Sequence, residues 1–212
     1  MTAGDGTAVG ATPAVEDASA AAARPAFLRQ LLAQLDRVTL VMAYVAGALF
    51  IALSFYLTID VIGRKFFHLS TAVSDEYGGY ALAVGGMWAL AHTLRSGGHV
   101  RIDVLLPYLS RTFRAVLDYG ALAFMVLFAS LIAVYAWRLA IDSFTGDARA
   151  MSFLRTPLFV PQGLMALGFT VLSLEATAIL LAGIAESVRL GRLAPLAIQE
   201  GGAGEDFEKP SL

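Results

Sequence analysis

The chain of 212 residues contains no cysteine and few charged residues. Without cysteine it can form no disulfide, no thiolate metal site and no catalytic thiol. Charged residues make up 15% of the chain, whereas soluble domains carry about a quarter. The net charge of -2 gives no basis for binding nucleic acid. The shortage of charge, together with 58% apolar residues, indicates a protein that is partly surrounded by lipid.

The charged residues gather in short clusters, which separate four long apolar segments. A membrane-spanning helix requires roughly 17–25 mostly apolar residues, and all four segments are long enough. The alternative is a soluble bundle of four buried helices, but such helices would carry a polar stripe along one face, and these segments do not. We therefore predict an all-α membrane protein with four spans, at about residues 38–59, 77–95, 118–140 and 158–185.

Lysine and arginine are divided unevenly between the two predicted sides of the membrane. Ten of the 15 lie in the N-terminal segment, the second connection and the C-terminal segment, and five lie in the first and third connections. Because basic residues favour the cytoplasmic side, we expect both termini and the second connection in the cytoplasm. Residues 1–25 are expected to be a disordered cytoplasmic tail, and residues 191–212 a second cytoplasmic tail that is disordered from Gly201. They flank a membrane domain of residues 26–190.

Two segments next to the spans are predicted to form amphipathic helices in the membrane interface. Residues 27–37 place leucines on one helical face and charged or amide side chains on the other, a pattern typical of interfacial helices. Between spans 2 and 3, Asp103 can cap a helix, in which apolar residues then oppose Arg111 and Arg114. We expect both helices to widen the footprint of the protein in the membrane.

The second predicted span is rich in glycine and alanine. Small residues let helix backbones approach closely in lipid. One helical face carries Gly79, Ala83 and Gly86, and a second carries Gly78, Gly85 and Ala89. We expect one face to pack within the bundle and the other against a partner protein; the alternative is that both faces are internal.

The sequence contains no glycine-rich phosphate loop and no HExxH motif. Two histidines on facing helices could ligate haem. However, His92 lies one turn from a helix end, His99 lies beyond that end, and His68 is expected on the opposite side of the membrane. We predict neither a catalytic set nor a cofactor. A haem-binding redox subunit and a stand-alone membrane assembly protein are the alternatives.

Two acidic residues next to or inside the spans are candidates for ion pairs. Glu76 opens the second span, where a negative charge suits the helix dipole, and Arg64 is its candidate partner. Glu175 is the only carboxylate well inside a span, where a charge costs roughly 2.5–3.5 kcal/mol. We expect Glu175 to pair with a basic group rather than face lipid. The candidates are Arg95, Arg37 and His92.

The stretch SDEYGGYALAVGGMWALAHTLRSGGHVRIDVL, residues 74–105, resembles the small membrane subunit of the tripartite ATP-independent periplasmic (TRAP) transporters. That family has an acidic residue at the start of the second span, small residues with a tryptophan, and then arginine, glycine, a His-Val/Ile pair and aspartate. The matching residues here are Glu76, Gly85, Gly86, Trp88, Arg95, Gly98, His99, Val100 and Asp103. Arg64 after the first span and Pro157 and Pro161 before the fourth also fit. The resemblance covers about residues 30–190.

The resemblance implies a non-catalytic subunit without a cofactor, embedded in the lipids of the bacterial inner membrane. It also implies two protein partners: a large multi-span membrane subunit that carries substrate and sodium, and a periplasmic solute-binding protein that delivers the solute, often an organic acid. The small subunit would be a scaffold for a moving transport domain.

Arg95 would anchor at the lipid headgroups, and His99 and Asp103 would fix the following turn. The structural or interface candidates are Arg64, Glu76, Gly79, Ala83, Gly86, Trp88, Arg95, His99, Asp103 and Glu175.

Overall fold

The computed structural model describes residues 26–67, 73–96, 110–152 and 154–191. Within these residues the protein consists of four α-helices and contains no β-strand. The helices are α1 (Ala26–Phe67), α2 (Ser74–Arg95), α3 (Arg111–Thr145) and α4 (Phe159–Leu190). The prediction of an all-α protein is confirmed for this part of the chain. The predicted N-terminal tail and residues 192–212 lie outside the described residues.

Three of the helices, α1, α3 and α4, are long and apolar enough to cross a membrane. They contain 42, 35 and 32 residues, so even the shortest is about 48 Å long, compared with about 30 Å for the hydrocarbon core of a bilayer. Helix α2 coincides with the second predicted span and has 22 residues. Its glycines and an acidic first turn make it less apolar than the other three. The four-span count therefore stays a prediction.

The first predicted interfacial segment joins α1 without a break, and of the second the structure describes only the part from residue 110. Residues 27–37 form the first turns of α1, and Thr112 to Leu117 form the first turns of α3. The N-cap of α3 is Ser110, whose hydroxyl accepts a hydrogen bond from the backbone nitrogen of Phe113 at 3.4 Å. The predicted cap, Asp103, lies outside the described residues. A position of either segment in the membrane interface stays a prediction.

The helices pack side by side in the order α1, α2, α4, α3. Helices α1 and α2 form one antiparallel hairpin, and α3 and α4 form another. We call the end of the bundle that holds these two connections the hairpin end. We call the opposite end, where α1 begins and α4 ends, the terminal end. Helices α2 and α4 both run in the direction from the hairpin end to the terminal end.

The interior of the bundle is built largely from small residues, while large apolar side chains point outward. Ala91, Ala129 and Ala176 are buried in one core cluster. Phe55, Phe124 and Val188, in contrast, are 68%, 69% and 78% exposed. Water would oppose such a surface, whereas lipid favours it. This arrangement therefore agrees with a membrane environment.

Hydroxyl groups join α3 to α4 along their shared interface. The hydroxyls of Ser130 and Ser173 are 2.6 Å apart, and those of Tyr119 and Ser187 are 2.9 Å apart. Trp137 donates its indole N–H to the Thr170 hydroxyl at 3.0 Å. Hydrogen bonds of this kind contribute to helix association in lipid. They fix α3 and α4 as an antiparallel pair.

The connection between α3 and α4 is itself ordered by backbone hydrogen bonds. Arg149 and Pro157 form an isolated antiparallel bridge. The backbone nitrogen of Ala150 donates to the carbonyl of Thr156 at 2.9 Å, and that of Leu158 donates to Ala148 at 3.1 Å. The connection is a short closed hairpin, and it projects Met151 into full exposure.

Single-cysteine labelling tests whether α2 crosses the membrane. The chain has no native cysteine, so Phe67→Cys and Thr112→Cys each introduce one thiol, at exposed positions on either side of α2. We expect one of them to react with a membrane-impermeant maleimide in sealed vesicles and the other only after permeabilisation. Met151→Cys is the control. It should show the same maleimide reactivity as Phe67→Cys, because α3 returns the chain to the side of the membrane that carries residue 67. Equal reactivity of positions 67 and 112 before permeabilisation would show that α2 does not cross.

Candidate functional site

A buried polar network joins α1 to α2 at the hairpin end. The Asp60 carboxylate accepts hydrogen bonds from Arg64 Nε at 2.8 Å and from the Ser74 hydroxyl at 2.7 Å. Arg64 Nη2 also contacts Asp60 and donates to the Ser74 hydroxyl at 3.1 Å. We call Asp60, Arg64 and Ser74 the Asp60 clasp. It fixes the end of α1 against the first residue of α2.

The clasp follows from local spacing and from burial. Asp60 and Arg64 lie four residues apart on α1, which places their side chains next to each other on the helix. The Asp60 side chain is 4% exposed and that of Arg64 is 43% exposed, so the guanidinium bridges the interior and the surface. The hydrogen bond from Arg64 to Asp60 raises the pKa of Arg64. Ser74 is completely buried, and its hydroxyl serves as both donor and acceptor.

The structure corrects the predicted pairing of Arg64 with Glu76, because Arg64 binds Asp60 instead. Sequence reasoning missed Asp60 and Ser74. The i,i+4 spacing of Asp60 and Arg64 was a usable signal for the pair, since such spacing supports ion pairs on helices. Nothing local in the sequence pointed to Ser74, which reaches the clasp only through the α1–α2 register.

Glu76, in the first turn of α2, is surrounded by hydroxyl groups. Its carboxylate accepts a hydrogen bond from the Tyr80 hydroxyl at 3.1 Å. The pKa of Glu76 is lowered, chiefly by the hydroxyl of Ser152, while partial burial opposes the shift and Thr156 and Tyr80 add to it. Ser152 and Thr156 belong to the α3–α4 connection. The Ser152 and Thr156 hydroxyls and Glu76 Oε2 form no hydrogen bond by distance and angle, so these hydroxyls lie near the carboxylate without binding it. Glu76 therefore faces that connection as an ionised group.

The two small-residue faces of α2 have different surroundings. A Cβ atom built on Gly85 would lie 2.8 Å from the Phe50 ring, and one on Gly78 would lie 3.8 Å from the Leu57 side chain, so this face packs on α1. On the other face, a Cβ atom on Gly79 or Gly86 would meet nothing within 4 Å. One predicted face is internal, and the face of Gly79, Ala83 and Gly86 is open within this chain. Its contact with a partner stays a prediction.

Trp88 lies between α2 and α4. Its indole N–H donates to the carbonyl of Leu164 at 2.9 Å. A Cβ atom on Gly168 would lie 3.0 Å from Met87 Cβ and 3.1 Å from Trp88 Cδ1, so a larger residue at position 168 would push the helices apart. Trp88 thus has a structural role within the chain, in the α2–α4 contact.

Glu175 is completely buried on α4, between buried Leu172 and Ile179. Its carboxylate does not face lipid in this bundle. Arg95 is the last residue of α2, and His99 and Asp103 lie outside the described residues. The basic partner of Glu175 and the roles of these three residues therefore stay predictions.

In the described part of the chain, no group of three or more His, Asp or Glu residues could hold a metal ion.

Replacing Asp60 tests the clasp. Asp60→Ala removes the carboxylate that accepts hydrogen bonds from Arg64 and from the buried Ser74 hydroxyl, and we expect a loss of about 1–3 kcal/mol in the free energy of unfolding. The control is Asp147→Ala, which removes the acid of the exposed Asp147–Arg149 pair, 3.0 Å apart; exposed pairs contribute little. Thermal unfolding of the purified chain in detergent measures both. Equal effects of the two variants would contradict the structural role of the clasp.

The lowered pKa of Glu76 predicts a pH-dependent contribution to stability. A carboxyl group with a lowered pKa in the folded state stabilises the protein above its ordinary value of 4.5, and this contribution is lost as the pH falls through the lowered value. Glu76→Gln should therefore unfold at a lower temperature than the parent chain at pH 7. The difference should shrink as the pH is lowered below 4.5. A difference that stays constant over this range would rule out the ionised form as its source.

Comparison with known protein families identifies the chain. The family described as "Tripartite ATP-independent periplasmic transporters, DctQ component" matches residues 53–186, more than half of the chain. The match includes the Asp60 clasp, all of α2 and α3, and Glu175. Comparisons with curated proteins and with solved structures give no significant match. The chain belongs to the DctQ-component family of the tripartite ATP-independent periplasmic transporters.

Proposed function

We propose that the chain is the small permease subunit of a TRAP transporter and acts as a non-catalytic scaffold for a large membrane subunit. The family match over residues 53–186 carries this proposal. The large subunit would move the solute, an organic acid, in a sodium-coupled step. A periplasmic solute-binding protein would deliver that solute.

Membership of this family, together with helices long enough to cross a bilayer, indicates a transporter component of the bacterial inner membrane. We propose four spans, with α2 as the fourth crossing helix. The 22 residues of α2 extend about 33 Å, and α1 and α4 cover it on two sides. Neighbouring helices thus shield part of its less apolar surface from lipid.

We place both termini in the cytoplasm, because ten of the 15 basic residues would then lie on the cytoplasmic side.

The distribution of buried charge supports a scaffold. Within the described helices, the buried acids are Asp60, at the hairpin end, and Glu175, on α4. A pathway for ions or protons would require several ionisable groups in series across the membrane. The buried groups between these two acids are apolar or form short hydrogen bonds between helices. This interior is suited to holding its shape.

The open face of α2 is our candidate for contact with the large subunit. Gly79 and Gly86 leave space for another helix backbone, and small residues favour such close approach in lipid. Helix α2 is also less apolar than the three helices that qualify as spans. A protein neighbour would therefore suit this face better than acyl chains. Ala83 continues the same face.

Co-expression with neighbouring genes tests the proposed function. We expect an affinity-tagged form of the chain to co-purify with a large multi-span membrane protein. The reconstituted complex should take up solute only when the periplasmic binding protein and a sodium gradient are both present. The chain alone in vesicles is the control and should transport nothing. Uptake by the chain alone, or purification without any large membrane partner, would contradict the scaffold role.

A further inference from the structure

Four side-chain oxygen atoms at the hairpin end are shielded from solvent and form no hydrogen bond with the described residues. They belong to the first turn of α2, to the α3–α4 connection and to the first turn of α4, and are Glu76 Oε2, Ser152 Oγ, Thr156 Oγ1 and Gln162 Oε1. Buried polar atoms in proteins are nearly always hydrogen-bonded, because leaving one unpaired is costly. Four such atoms at one end of the bundle indicate a bound molecule that pairs with them.

Ser152 and Thr156 are held by the backbone of one tight turn. The backbone nitrogen of Arg155 donates to the carbonyl of Ser152 at 3.2 Å, and that of Ala150 donates to the carbonyl of Thr156 at 2.9 Å. Both hydroxyls lie near enough to Glu76 to lower the pKa of its carboxyl group, and Ser152 is the largest cause. Neither hydroxyl binds Glu76 Oε2 directly. Polar atoms from two separate parts of the chain are therefore close together but not bonded to each other.

The other carboxylate oxygen of Glu76 is already bound. Oε1 accepts a hydrogen bond from the Tyr80 hydroxyl at 3.1 Å, and Tyr80 lies one turn further along α2. This bond restrains the carboxylate, so that Oε2 is held in its shielded position. A partner for Oε2 must therefore come to the carboxylate.

Gln162 brings a fourth oxygen from α4. Its backbone nitrogen donates to the carbonyl of Leu158 at 3.3 Å, in the first turn of the helix. Side chains on an α-helix lean toward its N-terminus, and for Gln162 this is the direction of the connection that carries Ser152 and Thr156. An amide oxygen can only accept hydrogen bonds, as can an ionised carboxylate.

We propose that one buried water molecule joins Glu76, Ser152 and Thr156 and thereby ties the start of α2 to the α3–α4 connection. The water donates one proton to Oε2 of Glu76 and the other to Oε1 of Gln162, and it accepts from the two hydroxyls. Buried waters in proteins usually have about three partners of this kind. Together with the Asp60 clasp, this contact links all four helices at the hairpin end. The inference does not depend on the proposed transport role.

A metal cation fits these oxygen atoms less well than water does. Glu76 is the only acidic group among the four, whereas calcium and magnesium are usually bound by more than one carboxylate or by a phosphate. Glu76 and Gln162 also lie in the first turns of their helices, where the positive ends of the two helix dipoles oppose a cation. Two acceptors and two hydroxyls are matched to a neutral molecule that both donates and accepts.

A structure of the full-length chain at a resolution that shows ordered water tests the proposal directly. We expect a density peak within about 2.7–3.2 Å of Glu76 Oε2 and of the Ser152 and Thr156 hydroxyl oxygens. A direct hydrogen bond from either hydroxyl to Oε2, with no peak between them, would overturn the proposal.

Substitutions at Thr156 test the contact in the full-length chain. Thr156→Val keeps the branched shape but removes a hydroxyl that donates to the water, and we expect the unfolding temperature in detergent to fall by about 2–4 °C. Thr156→Ser retains a hydroxyl and should stay close to the parent chain. Thr145→Val is the control and should change little, because the exposed Thr145 hydroxyl donates to Ile141 of its own helix at 3.1 Å. If Thr156→Val unfolds at the parent temperature, the hydroxyl binds nothing and the proposal is wrong.

The choice of salt distinguishes a bound water from a bound cation. The unfolding temperature of the parent chain should be the same in sodium chloride, potassium chloride and choline chloride at equal concentration. A stabilisation by sodium that Glu76→Gln abolishes would show that the oxygen atoms hold a cation, and the water would then be excluded.

Discussion

Lipid provides no apolar driving force that pulls one helix onto another, and this constraint accounts for most of the bundle. Association must come from close backbone approach and from polar contacts between helices. Both are present here: Gly168 lies against Met87, and Gly85 against Phe50. Hydroxyl pairs join α3 to α4. Large apolar residues remain available for the outer surface, where acyl chains surround them.

The same constraint explains why a buried polar network is found at the hairpin end of the bundle. The Asp60 clasp and the hydroxyl groups around Glu76 lie at the hairpin end, where the helices leave the apolar layer. Away from this end, the contacts of α2 with α1 and α4 are formed mainly by small and apolar residues, with one hydrogen bond from Trp88 to Leu164. The directional contacts between helices are therefore the Asp60 clasp, the Trp88–Leu164 hydrogen bond and the hydroxyl pairs between α3 and α4. Together they hold the four helices in one arrangement.

The sequence predicted the helices well, because long apolar runs follow directly from the thickness of a bilayer. It also predicted that one small face of α2 packs within the chain. It did not predict the Asp60 clasp or the hydroxyl groups around Glu76. Ser74 joins the clasp from a different helix, and Ser152 and Thr156 lie in the α3–α4 connection. Their positions depend on a register that composition does not specify. Ser152 and Thr156, for example, influence Glu76 only because the α3–α4 connection lies near the start of α2.

Helix α1 has a mechanical consequence for the assembly. It is continuous over 42 residues, or about 63 Å, roughly twice the thickness of the hydrocarbon layer. The clasp holds one end of this rod, and packing against the 22 residues of α2 supports only part of its length. A tilt imposed by a neighbouring protein at the clasp would therefore also move the far end of the rod, at the opposite membrane surface. One uninterrupted helix can in this way act as a lever between the two faces of the membrane.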